Sequence, residues 1–208
     1  MTHAFDKDYW DQHWRERSAD GAVSMATNPY LASEVAHLVP GTALDAGCGT
    51  GAEALWLSSR GWRVTAADIS SAALADAQAR AASVAGGEQV RWVEADLTTW
   101  EPGTLFDLVM THYAHPTMPQ LDFYDRIAQW VAPGGTLLIV GHLHTHDSTR
   151  DDGHPPAEAS VTSAAITDRL DDSGWRVVTA DERTRSMTGD GDPGDVLHDV
   201  VVRAERLA

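Results

Sequence analysis

The chain of 208 residues is poor in cysteine, in positive charge and in long apolar segments. Its single cysteine, Cys48, excludes an internal disulfide and suits a reducing compartment. No apolar run approaches the ~20 residues of a membrane-spanning helix, and the polar, acidic start lacks the basic and apolar regions of a signal peptide. These absences predict a cytoplasmic protein with no membrane partner.

Positive charge is scarce throughout the chain, since 15 Lys and Arg stand against 31 Asp and Glu for a net charge of −16. Nucleic-acid binding depends largely on Lys and Arg that neutralise phosphates, and no basic cluster occurs here. We therefore expect no nucleic-acid partner, and a small molecule is the expected substrate.

The most informative stretch is a glycine-rich turn that follows the apolar run Thr42–Leu44 and Asp45. A helical pattern begins directly after the turn, at Ala52. Glycines allow positive φ and the close approach of a ligand, and a helix start presents unpaired N–H groups. The stretch therefore predicts a strand, a tight loop and a helix that together hold a nucleotide-like cofactor.

The charges beside this loop indicate which cofactor it holds. Gly47, Gly49 and Ala52 satisfy the loose dinucleotide pattern, in which a pyrophosphate lies at the helix N-terminus. Asp45 and Glu53 would repel a pyrophosphate, and no Lys or Arg lies in the loop or the helix start to compensate. The same acids suit S-adenosylmethionine, which carries a sulfonium and an ammonium but no phosphate. An NAD(P)-dependent oxidoreductase is the alternative.

A second acid, Asp68, ends the next predicted strand, which begins at Arg63. An acid about 20 residues beyond the first glycine is placed to accept hydrogen bonds from ribose hydroxyls. The alternative is that Asp68 caps the helix that begins near Ser71, although Ser70 is an equally good cap. We predict that Ser70 caps the helix and that Asp68 binds the ribose.

Five segments, in order and spacing, resemble the class I S-adenosylmethionine-dependent methyltransferases over about residues 28–140. They are Leu44–Gly51, Ala67–Ser70, Glu94–Leu97, Phe106–Met110 and Val131–Thr136. The exit of the fourth strand, Thr111–Pro116, lacks the Asn/Asp-Pro-Pro-aromatic pattern of enzymes that methylate bases. Size and an aromatic N-terminal helix resemble the tellurite-resistance and thiopurine methyltransferases. The resemblance implies methyl transfer to a small molecule, with a soft nucleophile such as a thiol as acceptor.

Alternating patterns predict an α/β fold with a seven-stranded, mostly parallel, Rossmann-like sheet, an antiparallel last strand and helices on both faces. Helices are predicted near 6–17, 29–38, 52–59, 71–84, 120–131 and 162–172. Strands are predicted near 42–45, 63–68, 90–94, 105–111, 136–141, 175–181 and 196–203, and residues 183–195 as a polar loop. We expect one domain over 1–208, with an N-terminal helical lid (1–38), a cofactor-binding core (39–142) and a last part (143–208) that contains a loop, a helix and two strands.

The resemblance and the switch-point rule for open α/β sheets place the candidate site at the carboxyl ends of the strands. The methionine end would lie on Asp45 and the glycine loop, the ribose on Asp68, and the adenine beside Ile69, Asp96 and Leu97. The candidate cofactor-binding residues are Trp14, Asp45, Gly47, Cys48, Gly49, Gly51, Asp68, Ile69, Ser70, Asp96, Leu97 and Thr111.

Aromatic side chains on the first helix, among them Trp10 and Trp14, predict a lid that excludes water and contacts the sulfonium. The alternative is that these rings only pack the helix against the body. In either case the helix is expected to lie on the rest of the domain.

Three histidines at the exits of the fourth and fifth strands are the candidate catalytic residues: His112, His115 and His142. Each could act as a general base or form part of the acceptor wall. His142, His144 and His146 alternate before Asp147 and His154, a pattern that allows a metal site. The polar composition of that stretch favours a solvated loop, so no metal is predicted. A further alternative is a non-catalytic module that binds S-adenosylmethionine.

Overall fold

The computed structural model describes residues 5–19, 26–143, 160–186 and 196–208. Its helices are α1 (Lys7–Ala19), α2 (Leu31–Val35), α3 (Ala52–Ser58), α4 (Ser71–Ala81), α5 (Gln120–Ala128) and α6 (Ser163–Thr167). Its strands are β1 (Thr42–Ala46), β2 (Arg63–Asp68), β3 (Arg91–Glu94), β4 (Phe106–His112), β5 (Val131–His142), β6 (Trp175–Ser186) and β7 (Val196–Arg206).

The strands form one seven-stranded sheet in the order β3-β2-β1-β4-β5-β7-β6. The first five strands are parallel, and β7 pairs antiparallel with both β5 and β6. This arrangement confirms the predicted sheet and its antiparallel last strand. The direction of the strand order reverses between β1 and β4, so the binding crevice of such a sheet lies outside their carboxyl ends.

The two faces of the sheet carry separate cores, because successive residues of a strand point to opposite faces. Ala43 and Leu108 pack on the face that α3 covers, whereas Leu44 and Val109 pack on the face that α5 covers. All four are fully buried. Burial on both faces explains why the central strands read as continuous apolar runs rather than as alternating patterns.

Three predicted boundaries are wrong. The strand β5 begins at Val131, which was predicted as a helix end, and α6 ends at Thr167 rather than near 172. The strand β6 continues through Arg183 and Arg185 to residue 186, where a loop was predicted. Paired strands satisfy each other's backbone groups, and β6 stays paired with β7 over this whole length.

Buried acids on neighbouring elements form ion pairs with the arginines in the last part of β6. Glu34 on α2 forms ion pairs with Arg183 at 3.1 Å and with Arg203 on β7 at 3.3 Å. It also accepts a hydrogen bond from Thr179 Oγ1 at 2.9 Å. A strand that looks too polar to pack is therefore held by partners that are distant in sequence.

In the ranges that the structure covers, no helix is long and apolar enough to cross a membrane. His144, His146, Asp147 and His154, the alternating run considered above as a metal site, lie outside the described residues.

Candidate cofactor and acceptor site

The glycine loop between β1 and α3 has the tight, crowded geometry that only glycine allows. Gly49 and Gly51 have φ of +51° and +79°. A Cβ atom at Gly51 would lie 2.4 Å from Cη2 of Trp92, and one at Gly49 would lie 2.9 Å from Cζ2 of Trp14. The loop is therefore pressed against the body of the domain on one side and against α1 on the other.

Asp68, at the end of β2, holds this loop in place by hydrogen bonding. Its Oδ2 accepts a hydrogen bond from Gly49 N, and its Oδ1 accepts one from Ser70 N, both at 2.8 Å. Ser70 caps α4, since its hydroxyl accepts from Ala73 N at 3.2 Å, which confirms the predicted cap. Burial raises the pKa of Asp68, and the backbone donors oppose that rise. Each carboxylate oxygen keeps a lone pair for a further donor.

Asp45, at the end of β1, is buried with its Oδ2 lacking any hydrogen-bond partner in the described part of the chain. Burial raises the pKa of Asp45 well above its ordinary range, and the charges of Glu53 and Asp68 raise it further. Glu53 accepts a hydrogen bond from Asn28 N at 2.8 Å. A buried acceptor among other acids favours a cationic donor, which fits the ammonium of S-adenosylmethionine.

Three other predicted residues lie after β3 or on β4. Asp96, after β3, accepts hydrogen bonds on Oδ1 from Thr98 N at 2.9 Å and Thr98 Oγ1 at 2.6 Å. Leu97 is buried in the α5-side core, which leaves little of its side chain at the surface. Thr111 is fully buried, and its Oγ1 has no hydrogen-bond partner within the ranges described.

Cys48 is a packing residue of the loop rather than a nucleophile. Its side chain is buried in the core on the α3 side. Burial raises the pKa of the thiol well above its ordinary value, and the charges of Asp68 and Asp45 add to the rise. Because the thiolate is the reactive form, this thiol is inert near neutral pH.

The helix α1 is held on the cofactor side through Lys7 and Asp11. The carboxylate of Asp11 accepts from Ser70 Oγ at 2.7 Å and from Ala72 N at 3.1 Å. Burial of Asp11 disfavours its charge, but these hydrogen bonds and Lys7 outweigh it and lower the pKa to about 2. Lys7 also pairs with Glu94 at 2.8 Å and donates to the carbonyl oxygen of Ile69 at 3.3 Å.

The same helix reaches the opposite side of the crevice through its aromatic residues. Trp10 donates from Nε1 to the carbonyl oxygen of His115 at 3.2 Å. Trp14 lies against Gly49 of the glycine loop. The predicted helix is thus confirmed, and α1 connects the ends of β1 and β2 with the exit of β4.

The three candidate histidines have different environments. Both ring nitrogens of His112 are buried without a hydrogen-bond partner among the residues described. Burial lowers the pKa of His112, so the ring is neutral near pH 7. The rings of His115 and His142 lie 5.5 Å apart, and His142 stacks on Tyr113 at 4.2 Å.

Sequence reasoning missed a polar cluster beside these rings. Asp199 on β7 is fully buried, and its Oδ2 accepts from Tyr30 Oη at 3.0 Å and from Arg185 Nε at 2.7 Å. Burial raises the pKa of Tyr30 to about 12, and the hydrogen bond to Asp199 adds to the rise. The signal in the sequence is a lone acid in the apolar run of β7, which demands a buried partner.

Residues 43–135 match a family model described as "Methyltransferase domain". A trans-aconitate 2-methyltransferase of Streptomyces avermitilis is 31% identical over 65% of this chain, although the match spans only 50% of that enzyme's length. A probable thiol methyltransferase 2 of Arabidopsis thaliana is 27% identical over 74% of this chain and 68% of that protein.

Among solved structures, the chain resembles the magnesium protoporphyrin IX methyltransferase of Synechocystis with bound S-adenosylhomocysteine. The TM-score is 0.72 at 22% identity, with 96% of this chain and 97% of the other covered. At this identity the likeness shows the fold, which is the Rossmann-like fold predicted from the sequence.

Proposed function

Since residues 43–135 match a family model described as a methyltransferase domain, we propose that this chain transfers a methyl group from S-adenosylmethionine to a soft nucleophile on a small molecule. The observation that carries the proposal is the buried carboxyl oxygen Oδ2 of Asp45, which has no hydrogen-bond partner among the described residues. It lies beside the glycine loop, and the charges of two further acids, Glu53 and Asp68, act on it. That arrangement suits a cation and disfavours a pyrophosphate. None of the comparisons supports the oxidoreductase alternative.

The cofactor-binding residues divide by the part of the ligand that each would hold. Asp45 and the loop backbone from Gly47 to Gly51 would take the methionine end, and Asp68 would accept from the ribose hydroxyls. Asp96 would accept from the adenine amino group, with Ile69 against the ring. The α1 helix would act as a lid, because Trp14 covers the loop and Trp10 reaches the acceptor side.

When bound, S-adenosylmethionine supplies a methyl group on a sulfonium, which is a strong leaving group. The protein's own contribution is to align the acceptor and to exclude water. His112 is neutral and buried beside the site, so it can accept a proton from an acceptor that must lose one. His115 and His142 would form the acceptor wall next to it.

A thiol-like acceptor agrees with this arrangement because a soft nucleophile needs little base catalysis. Both ring nitrogens of His112 lack a hydrogen-bond partner among the described residues, so no described acid orients this ring as a base. The similarity to a probable thiol methyltransferase of Arabidopsis thaliana supports the same class of acceptor. We also propose that the protein works in the reducing cytoplasm, since its only cysteine is a buried thiol.

The test has two stages that separate binding from catalysis. Calorimetric titration should give saturable binding of S-adenosylhomocysteine and no binding of NADPH, and the reverse result would favour an oxidoreductase. Methyl-labelled S-adenosylmethionine is then incubated with thiols, selenite and tellurite. A labelled product is expected. Saturable binding without a product from any acceptor would instead indicate a non-catalytic binding module.

A further inference from the structure

The backbone at the exit of β4 is held in an unusual conformation. Tyr113 has a φ of +57°, a left-handed conformation that a tyrosine rarely adopts. Its backbone N–H donates to Val140 O at 2.9 Å, and its ring stacks on His142 at 4.2 Å. Strain of this kind persists only where the surrounding structure imposes it, and it occurs most often at functional sites. The strained backbone here places the Tyr113 ring against His142, one of the three candidate histidines.

A positive charge lies next to this ring. The guanidinium of Arg185 lies 5.5 Å from the centre of the Tyr113 ring. Buried Asp199 orients it by accepting from Nε at 2.7 Å, and that bond uses one of the five N–H donors of a guanidinium. The chain has a net charge of −16, so positively charged side chains are scarce. A guanidinium held in a fixed orientation beside Tyr113 is therefore a distinctive feature of this region.

The phenol of Tyr113 can supply a second donor to the same place. Burial and the charge of Asp199 raise the pKa of Tyr113, so the hydroxyl keeps its proton across the physiological range. The neutral phenol and the guanidinium N–H groups that Asp199 does not use together offer the hydrogen-bond donors that bind an anion.

We propose that Arg185 and Tyr113 form an acceptor subsite for negative charge, so that the acceptor enters as a small anion. The inference rests on the proposed function and specifies its substrate class. An anionic nucleophile donates its lone pair to the methyl carbon while the carbon–sulfur bond breaks and its electron pair stays on sulfur. No proton has to be removed, which is consistent with a site whose nearest buried histidine, His112, has no orienting acid among the described residues.

The experiment uses the full chain saturated with S-adenosylhomocysteine, whose binding is measured first. Thiocyanate is then titrated as a soft anionic probe, with acetonitrile as an uncharged linear comparison. Arg185→Gln should weaken thiocyanate binding about tenfold or more, because a charge-assisted bond is lost, and Arg185→Lys should restore part of it. Tyr113→Phe should weaken it about threefold.

Arg176→Gln is the matched control, because Arg176 lies on the same strand and pairs with Glu205 at the far end of the sheet. It should leave the affinity for thiocyanate unchanged. The KM for anionic thiol acceptors should rise in Arg185→Gln with little change in kcat, since the subsite binds the ground state and the transition state alike.

The outcomes separate the two proposals. Failure to bind S-adenosylhomocysteine would contradict the proposed function itself. Normal binding of S-adenosylhomocysteine with no preference of the wild-type chain for thiocyanate over acetonitrile overturns only the anionic subsite. An equal loss of affinity for both probes in Arg185→Gln, without rescue by Arg185→Lys, also overturns it, because it would indicate a purely structural role.

Discussion

Buried acids in the two halves of the domain differ in whether an arginine pairs with them. At the ends of β1 and β2, Asp45 and Asp68 are buried without an ion pair to any described Lys or Arg. At the β6–β7 side, Glu34 and Asp199 are equally buried, but each forms an ion pair with at least one arginine.

The difference separates a binding role from a structural role. A buried charge without a partner is unfavourable, so such a group is retained where a ligand supplies the partner. A buried charge with a partner costs stability only when that partner is removed. Under the proposed function, Asp45 and Asp68 hold the cofactor, whereas Glu34 pairs with arginines of β6 and β7 and Asp199 orients Arg185.

The largest expected effect is on stability and distinguishes the two halves directly. Glu34→Ala would leave Arg203 and Arg183 without their buried partner and should lower the free energy of unfolding by about 3 kcal/mol. Asp45→Asn removes a buried acid that has no ion-pair partner among the described residues, so the free chain should keep its stability or gain some. Chemical denaturation of both variants measures this difference.

The same two substitutions should affect the affinity for the cofactor in the opposite order. Asp45→Asn should weaken binding of S-adenosylmethionine, whereas Glu34→Ala should leave it within about twofold, because Glu34 lies outside the site. If Glu34→Ala proved less destabilising than Asp45→Asn, the distinction between paired and unpaired acids would be wrong.

Asp68→Ala should raise the Kd for S-adenosylhomocysteine about a hundredfold, because two hydrogen bonds to a charged group are lost. The loss combines missing ribose contacts with a glycine loop that Asp68 no longer fastens. The control is Asp107→Ala, since Asp107 also accepts from a backbone N–H, that of Thr42 at 2.7 Å, but at the opposite end of β1. Near-normal affinity in Asp68→Ala would remove the ribose assignment.

Affinity for S-adenosylmethionine should increase with pH, by at most about tenfold per pH unit for each proton released. Burial and neighbouring acids raise the pKa of Asp45, and burial raises that of Asp68. Groups of this kind stabilise the free chain fully below their ordinary pKa, and this contribution is lost as pH rises through the folded-state pKa. The cation favours the deprotonated forms, so its binding restores stability at higher pH.

The rise in melting temperature that S-adenosylmethionine causes should therefore grow as pH increases above the ordinary carboxyl range. Asp45→Asn should flatten this dependence. A thermal shift that is constant with pH in the wild-type chain would show that no proton is released on binding.

The smallest expected effect is on cofactor affinity, and it tests whether α1 acts as a lid. Trp14→Ala removes the ring that lies on Gly49 and should weaken cofactor binding about fivefold, through lost burial and cation–π attraction. Trp56→Ala is the control, because the Trp56 ring on α3 packs against the core and under Arg60 and has no contact with the glycine loop among those given for Gly47, Gly49 and Gly51. Equal changes in cofactor affinity in the two variants would mean that α1 only packs on the body.

The cofactor half could be predicted because its signals are local. Strand, glycine turn and helix follow one another within residues 42–58, and the helix cap at Ser70 lies two residues after Asp68. The acceptor half could not be predicted in this way. Tyr30 and Asp199 are 169 positions apart in sequence, and no local pattern indicates that they form a hydrogen bond.

The strand β6 shows the same limit. Arg183 and Arg185 read as part of a polar loop because each looks like an exposed charge, but Glu34 and Asp199 neutralise them after folding. Likewise, the position of the histidines at the exits of the fourth and fifth strands is a local signal. The orientation of the Tyr113 ring depends on a positive φ, which no local sequence pattern indicates.

The sequence by itself determined the order of the elements, the tight loop and the sign of the charge that the cofactor must carry. These follow from glycine conformations, apolar patterns and acids within a few residues of one another. Tertiary structure alone decided which acids have partners and which charge lies beside Tyr113. Ion pairs and ring contacts between β4, β6, β7 and the segment before α2 exist only once the sheet brings distant residues within a few ångströms.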